Sequence, residues 1–276
     1  EAVAAAAKAG GGVIAAADFA AYKVREMAPL TCPYRSWTIV SAPPPSSGGT
    51  VICQVLGILE GYDLKASGFN SARTVHLMTE AMRHAYLDRN TYLGDPDFVK
   101  NPLERLLSRD YAVAIRAAIN PERATPSREL APGTPPHEKP ETTHYSVADK
   151  AGNAAAVTYT INGAFGAAVM APGTGFLLNN EMDDFAIKPG TPNMFGLVQG
   201  EANAIAPGKR PLSSMSPTLL LRDGQPYAVL GSPGGARIIS ITLQAILNLV
   251  DHGMELQEAV NAPRIHHQWL PDELFI

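Results

Sequence analysis

Several scarcities in this chain narrow what it can be. Only 17% of its residues are charged, with 22 basic against 26 acidic side chains and a formal net charge of −4. Without a basic excess or a polybasic run, nucleic acid is not an expected partner. No apolar run reaches the roughly 18–20 residues needed to span a bilayer. Cysteine occurs twice, at Cys32 and Cys53, with no metal-ligand spacing. The two could pair, but buried free thiols are the expected state for isolated cysteines. The chain begins at Glu1 with neither a methionine nor a signal-peptide pattern, so its start does not report a compartment.

What is present points to a packed protein. With 276 residues, 46% of them hydrophobic, the chain can bury the core of one large or two medium domains. Both ends read as cuts within a longer protein. Residues 1–9 look like the end of an alanine-rich helix closed by Gly10-Gly11-Gly12, and residues 269–276 stop as a new segment begins.

The first half reads mostly helical. Residues 34–40 predict one strand, followed by a rigid turn at Pro43-Pro44-Pro45-Ser46-Ser47-Gly48-Gly49. Val51, Val55, Ile58 and Leu59 recur at helical spacing, as do Val75, Met78, Met82, Ala85 and Tyr86. A third helix is expected over residues 103–115, with Pro102 suited to its first turn. Methionines and aromatics on these stripes are read as core. Residues 121–140 are rich in proline, charge and small polar side chains, which predicts an exposed, poorly ordered connector.

Beyond the connector the pattern changes to strands. Residues 145–148 and 154–161 flank a Lys150-Ala151-Gly152 turn, and residues 217–222 and 227–230 flank Asp223-Gly224, giving two hairpins. An apolar helix over residues 237–250 follows, stopped by Gly253, and a shorter one runs over residues 256–262. Strand pairs covered by helices imply a layered α/β arrangement rather than alternating βαβ units.

The chemistry-bearing stretch is Thr142-Thr143-His144-Tyr145-Ser146-Val147, at the junction of connector and strands. A threonine freed at its amino group carries its own base, because an α-amine has a pKa of about 7.7–8.0. Taken alone, a Thr-Thr pair at a strand start is usually structural. Later in the chain stand Asn179-Asn180-Glu181-Met182-Asp183-Asp184-Phe185, Pro211-Leu212-Ser213-Ser214-Met215-Ser216-Pro217-Thr218, Gly231-Ser232-Pro233-Gly234-Gly235 and Asn261-Ala262-Pro263-Arg264-Ile265-His266-His267-Gln268-Trp269. In order and spacing these resemble the small subunit of γ-glutamyltranspeptidases. The Pro43–Gly49 turn and Tyr92-Leu93-Gly94-Asp95-Pro96-Asp97-Phe98 resemble the end of that family's large subunit. The resemblance covers essentially the whole chain.

It implies a four-layer αββα sandwich of the N-terminal-nucleophile hydrolase type, incomplete in this chain. Residues 1–141 would be the end of a large subunit, with the connector at about 121–141, and residues 142–276 the start of a small catalytic one. Autocatalytic cleavage between Glu141 and Thr142 would release the nucleophile, leaving the two subunits as a heterodimer. Thr142 would then form a γ-glutamyl ester from glutathione or a related donor, resolved by water or by an amino acid or peptide acceptor. Thr160 would orient the nucleophile, and Gly234 and Gly235 would form the oxyanion hole. Asn162, Glu181 and Asp184 would hold the donor's α-ammonium, and Ser213 and Ser214 its α-carboxylate.

No cofactor and no metal are implied. The acidic run 181–184 lacks a calcium-loop pattern, and the adjacent His266 and His267 point to opposite sides of an extended chain. Family members act in the bacterial periplasm or at the cell surface. The family's carboxylate-pairing arginine belongs to a region outside this chain, so the piece alone is expected to be inactive on γ-glutamyl substrates. Phe195 stands where some bacterial members carry a pocket-closing tyrosine, leaving the balance of hydrolysis and transfer open. Two other readings compete: a glutaryl or cephalosporin acylase on the same fold, and a non-enzymatic fragment. The acceptors Asn162, Glu181 and Asp184 favour a donor bearing an ammonium over the acylase's.

Overall fold

A computed structural model of the chain describes residues 1–130 and 142–276. The elements are helices α1 (Ala2–Ala9) and α2 (Ala16–Ala21), strands β1 (Leu30–Tyr34) and β2 (Trp37–Ser41), and helices α3 (Gly48–Leu59), α4 (Leu64–Ser67), α5 (Ala72–Tyr92), α6 (Leu103–Leu106), α7 (Arg109–Ala118) and α8 (Ser127–Leu130). Strands β3 (Thr143–Ala148), β4 (Ala154–Tyr159), β5 (Thr218–Arg222) and β6 (Gln225–Leu230) follow, then helices α9 (Arg237–Val250) and α10 (Leu256–Asn261).

The architecture is mixed α/β. Strands pair antiparallel in the order β1-β2-β5-β6, and β3-β4 form a separate hairpin packed against β5 and β6. The register Ile39↔Leu220 sits at the centre of the larger sheet, and both side chains are fully buried. Helix α3 is apolar nearly all round, as a helix enclosed by other elements must be. It packs on β1, β2, α5, α7 and α9.

Four expectations need correction. The single strand over residues 34–40 is two strands, because Arg35 turns the chain at φ 55°. That backbone is held by the Arg35 side chain, which donates to the carbonyls of Glu60 and Tyr62 and to Asp251. Pro33, which cannot donate to a ladder, falls on the edge strand β1. The helix over 103–115 breaks in two, since the Ser108 hydroxyl accepts from Tyr111 N and so caps a new helix, α7.

The connector is ordered in its first part. Thr125 N donates to Glu80, Ser127 N to Asp272 at 2.8 Å, and the Trp269 indole to Ser127 O. Its remainder, residues 131–141 with Glu141 and hence the expected cleavage bond, lies outside the described residues.

Finally, Cys32 and Cys53 are not free thiols. They form a disulfide between β1 and α3, with Cα atoms 6.0 Å apart. Such a bridge, closing a loop across 21 positions, restricts the unfolded chain. Replacing both cysteines with alanine should cost about 2–4 kcal/mol, seen as a lower melting temperature in oxidising buffer. Reductant should lower the parent's melting point and leave the variant's alone; equal melting of the two proteins would contradict a stabilising bridge.

Candidate active site

The hairpin register explains why Thr142 and Thr160 meet. Thr143 pairs with Tyr159, so the next positions outward, eighteen apart in sequence, face each other at the open end. Asp149 sets that register by accepting from Ala151 N and Asn153 N at the turn. Thr142 Oγ1 donates to Thr160 Oγ1 at 3.4 Å, a long approach of the kind that tightens when a ligand arrives. Thr160 Oγ1 also accepts from Asn162 N at 2.8 Å, which ties the nucleophile candidate to the next loop.

That loop is strapped to the acidic run. Asn180 N donates to Ile161 O, Gly163 N to Asn180 Oδ1, and Asn162 Nδ2 to Asn180 O at 3.2 Å. Asn180 leads into a short 3-10 helix, Glu181–Asp184. The backbone carbonyl of Asp184 accepts from Gln199 Nε2 and from Asn203 Nδ2 at 2.7 Å, which fixes the far end of the run.

The proline turn supplies a third wall from the first half of the chain. Ser47 N donates to Ser213 O and Ser213 N to Pro45 O, both at 2.8 Å. Ser46 Oγ donates to Met215 O, and Ser47 Oγ to Ser213 O. Gly48 is required by this close approach: a Cβ there would lie 2.2 Å from Ser216 Oγ. The fourth wall is the entry to α9. Gly235 has φ +54°, and a Cβ on it would press into the Phe195 ring at 2.7 Å. Gly234 O and Gly235 O accept from Arg237 N and Ile238 N and begin the helix.

One pocket results, lined by Thr142, Thr160, Asn162, Asp184, Phe195, Ser213, Ser214, Met215, Gly235 and Ile238. Two expected site residues do not line it. Gly234 immediately precedes Gly235, and Glu181 opens the 3-10 turn that ends at Asp184, with its Oε1 lacking a hydrogen-bond partner. Phe195 is buried against Gly235, while Met194 takes the position over Asn162, its Sδ 3.5 Å from Asn162 Nδ2. The Phe195 carbonyl accepts from Gln268 Nε2, and Gln268 Oε1 is bonded to His266 Nε2. Burial holds His266 down to about 3, so it is neutral and serves as a strut.

Electrostatics set the pocket apart. Burial, reinforced by the neighbouring Glu181 charge, pushes Asp184 up to about 8, with the Arg89 guanidinium opposing the shift. Burial likewise raises Glu181. Two neighbouring half-buried carboxyls make an acceptor for a cation. Arg89, Met194, Gln199 and Asn203 escape a sequence reading. A buried arginine on a helix looks in sequence like any solvated one, and the amides act through backbone contacts that no spacing reveals. Among the described residues, no group of three or more His, Cys, Asp or Glu is placed to hold a metal ion.

The chain matches the family model described as gamma-glutamyltranspeptidase over residues 1–276. It is 64% identical over 265 residues to a glutathione hydrolase proenzyme from Pseudomonas sp. (strain A14), covering 96% of this chain and 46% of that one. It is 55% identical to the glutathione hydrolase proenzyme of Escherichia coli (strain K12), with the same coverage. In structure it resembles a cephalosporin acylase from Bacillus halodurans at TM-score 0.80 and 27% identity, covering 96% of this chain and 45% of that one. The chain thus spans about half the length of these relatives.

The raised Asp184 has a consequence for stability that needs no ligand. A carboxyl bound more tightly to its proton in the folded state stabilises fully below its unfolded pKa, 3.8, and that contribution is lost as pH rises through about 8. Urea unfolding between pH 5 and 9 should therefore show parent stability falling with pH, and Asp184→Asn should flatten the fall. An unchanged pH slope in the variant would contradict the shift.

Proposed function

The chain belongs to the gamma-glutamyltranspeptidase family, and from that premise we propose that it carries the nucleophile and donor pocket of a γ-glutamyl transferase and hydrolase. The observation that carries this reading is the meeting of Thr142 and Thr160, 3.4 Å apart, in one pocket with the half-buried Asp184 carboxyl and two serines.

In the precursor, Thr142 Oγ attacks the carbonyl of Glu141. An N-to-O acyl shift forms an ester, and its hydrolysis frees the Thr142 amine and a carboxylate on Glu141. In the mature enzyme that amine takes the hydroxyl proton as Oγ adds to the donor's γ-carbonyl. The N–H groups of Gly234 and Gly235 stabilise the oxyanion. Collapse of the adduct expels the leaving amine, which receives the proton, and leaves a γ-glutamyl ester on Thr142. Water resolves the ester to glutamate; an amino acid or peptide amine resolves it to a new γ-glutamyl amide. No cofactor enters these steps.

The donor's ammonium is received by Asp184, Glu181 and Asn162, and its carboxylate by Ser213 and Ser214. Glutathione carries both groups on one carbon and is the donor class proposed. A glutaryl side chain lacks the ammonium and would leave the half-buried Glu181 and Asp184 without a cation. Residues 1–141 are assigned to the large subunit and 142–276 to the small one, on a four-layer αββα sandwich. The β2–β5 ladder crosses the assigned cut and supports a heterodimer that persists after cleavage. The disulfide supports action in an oxidising compartment, the periplasm or cell surface.

Two measurements on the full-length precursor check this reading. Thr142→Ala should migrate as one uncut chain; two subunits on a gel would remove Thr142 as the processing nucleophile. The processed parent should prefer γ-glutamyl-p-nitroanilide over glutaryl-p-nitroanilide by on the order of tenfold or more, because hydrogen bonds to charged groups are worth about 1.5–3 kcal/mol. The opposite preference would favour the acylase reading.

A further inference from the structure

Behind the pocket, on α5, lies a charge that the steps above do not use. Arg89 is 1% exposed, yet no carboxylate is among its hydrogen-bond partners in the described residues. Its donors go to four neutral oxygens: Nε to Ser47 Oγ at 3.0 Å, Nη1 to Asn90 Oδ1 at 2.8 Å and to Gln199 Oε1 at 3.2 Å, and Nη2 to Ser214 Oγ at 3.1 Å. A guanidinium buried with no carboxylate hydrogen bond is costly to keep, and the nearby Asp184 charge offsets only part of that cost. Burial lowers its pKa to about 10, which still leaves it charged at neutral pH.

Three of these four partners lead to the pocket. Ser47 belongs to the turn that clasps Ser213, Gln199 holds the Asp184 carbonyl, and Ser214 lines the pocket itself. The Ser214 bond matters most. Its oxygen receives the Nη2 proton, so the hydroxyl's own proton is directed to an acceptor elsewhere. Ser213 is arranged in the same way, its Oγ accepting from Met215 N at 3.0 Å.

We propose that Arg89 is a positioning residue for recognition of the donor's α-carboxylate: without entering the pocket, it holds Ser214 Oγ as a hydrogen-bond donor and places positive charge directly behind it. This deepens the γ-glutamyl reading and rests on it. Lysine would keep the charge but not the fork, since an ammonium on a flexible stem cannot bond Ser47 and Ser214 in the plane that a guanidinium spans.

The test is Arg89→Lys in the processed full-length enzyme, assayed with γ-glutamyl-p-nitroanilide. KM should rise about tenfold with kcat within about threefold of the parent, the pattern of lost donor binding. Adding Ser214→Ala to Arg89→Lys should cost no more than the worse single change, because both act on one bond. A purely structural arginine would instead give additive losses, which, like an unchanged KM or a loss confined to kcat, overturns the assignment. If Arg89→Lys fails to mature, Asn90→Ala serves. It removes an acceptor that steadies Nη1 while touching no pocket residue, and should raise KM about threefold, a share of the larger effect; an unchanged KM there also overturns the proposal. Should the parent itself not turn over γ-glutamyl-p-nitroanilide, the donor assignment falls and Arg89's role with it. Should Ser214→Ala raise KM while the Arg89 and Asn90 variants do not, only the role of Arg89 falls.

Discussion

The pairing of Trp37–Ser41 with Thr218–Arg222 is the contact on which the site depends. It joins a strand from before Thr142 to one from after it, with Ile39 and Leu220 locked in the common core. Running on from β2, the chain turns through the prolines and presents Ser46 and Ser47 to the segment that enters β5. Ser213 and Ser214 are therefore held by a turn some 166 positions earlier in the chain. The proposed cut before Thr142 would break none of these noncovalent links. Chemistry at a new chain end can thus proceed within a site already assembled.

The second constraint is electrostatic. Arg89 is buried and Asp184 and Glu181 half-buried about a single pocket, and loss of solvent moves each away from its ordinary pKa. Acid groups and a guanidinium about one pocket suit the zwitterionic donor proposed above. Burial holds the Asp184 proton up to about pH 8, and an ammonium arriving beside the carboxyl favours its release. The amides Gln199 and Asn203 keep the two sides at a set separation by bridging Arg89 to the Asp184 backbone.

Much of this was legible in the sequence where information is local. The apolar stripe of α9, the Asp223-Gly224 turn and the helical spacing in α3 and α5 each match their observed elements, because hydrophobic period and turn chemistry act within a few residues. Thr142, Thr160, Asn162, Asp184, Ser213, Ser214 and Gly235, each singled out from its motif, line one pocket. Long-range determinants were not legible. The Arg35 turn depends on Glu60, Tyr62 and Asp251, and the disulfide on β1 lying beside α3. Arg89 owes its burial to elements from three parts of the chain. Met194 rather than Phe195 meets Asn162, since the Phe195 ring is drawn into the core beside a glycine that leaves room for it.

The central claim is that Thr142 becomes a chain end and carries the acyl group. It is tested most directly by mixing the processed full-length enzyme with a γ-glutamyl donor, quenching in acid and mapping the peptides by mass. The account predicts a small subunit that begins at Thr142, with a mass increase of one γ-glutamyl group confined to its first peptide and removed by hydroxylamine. A label on any other peptide, or a subunit beginning at another residue, would contradict it.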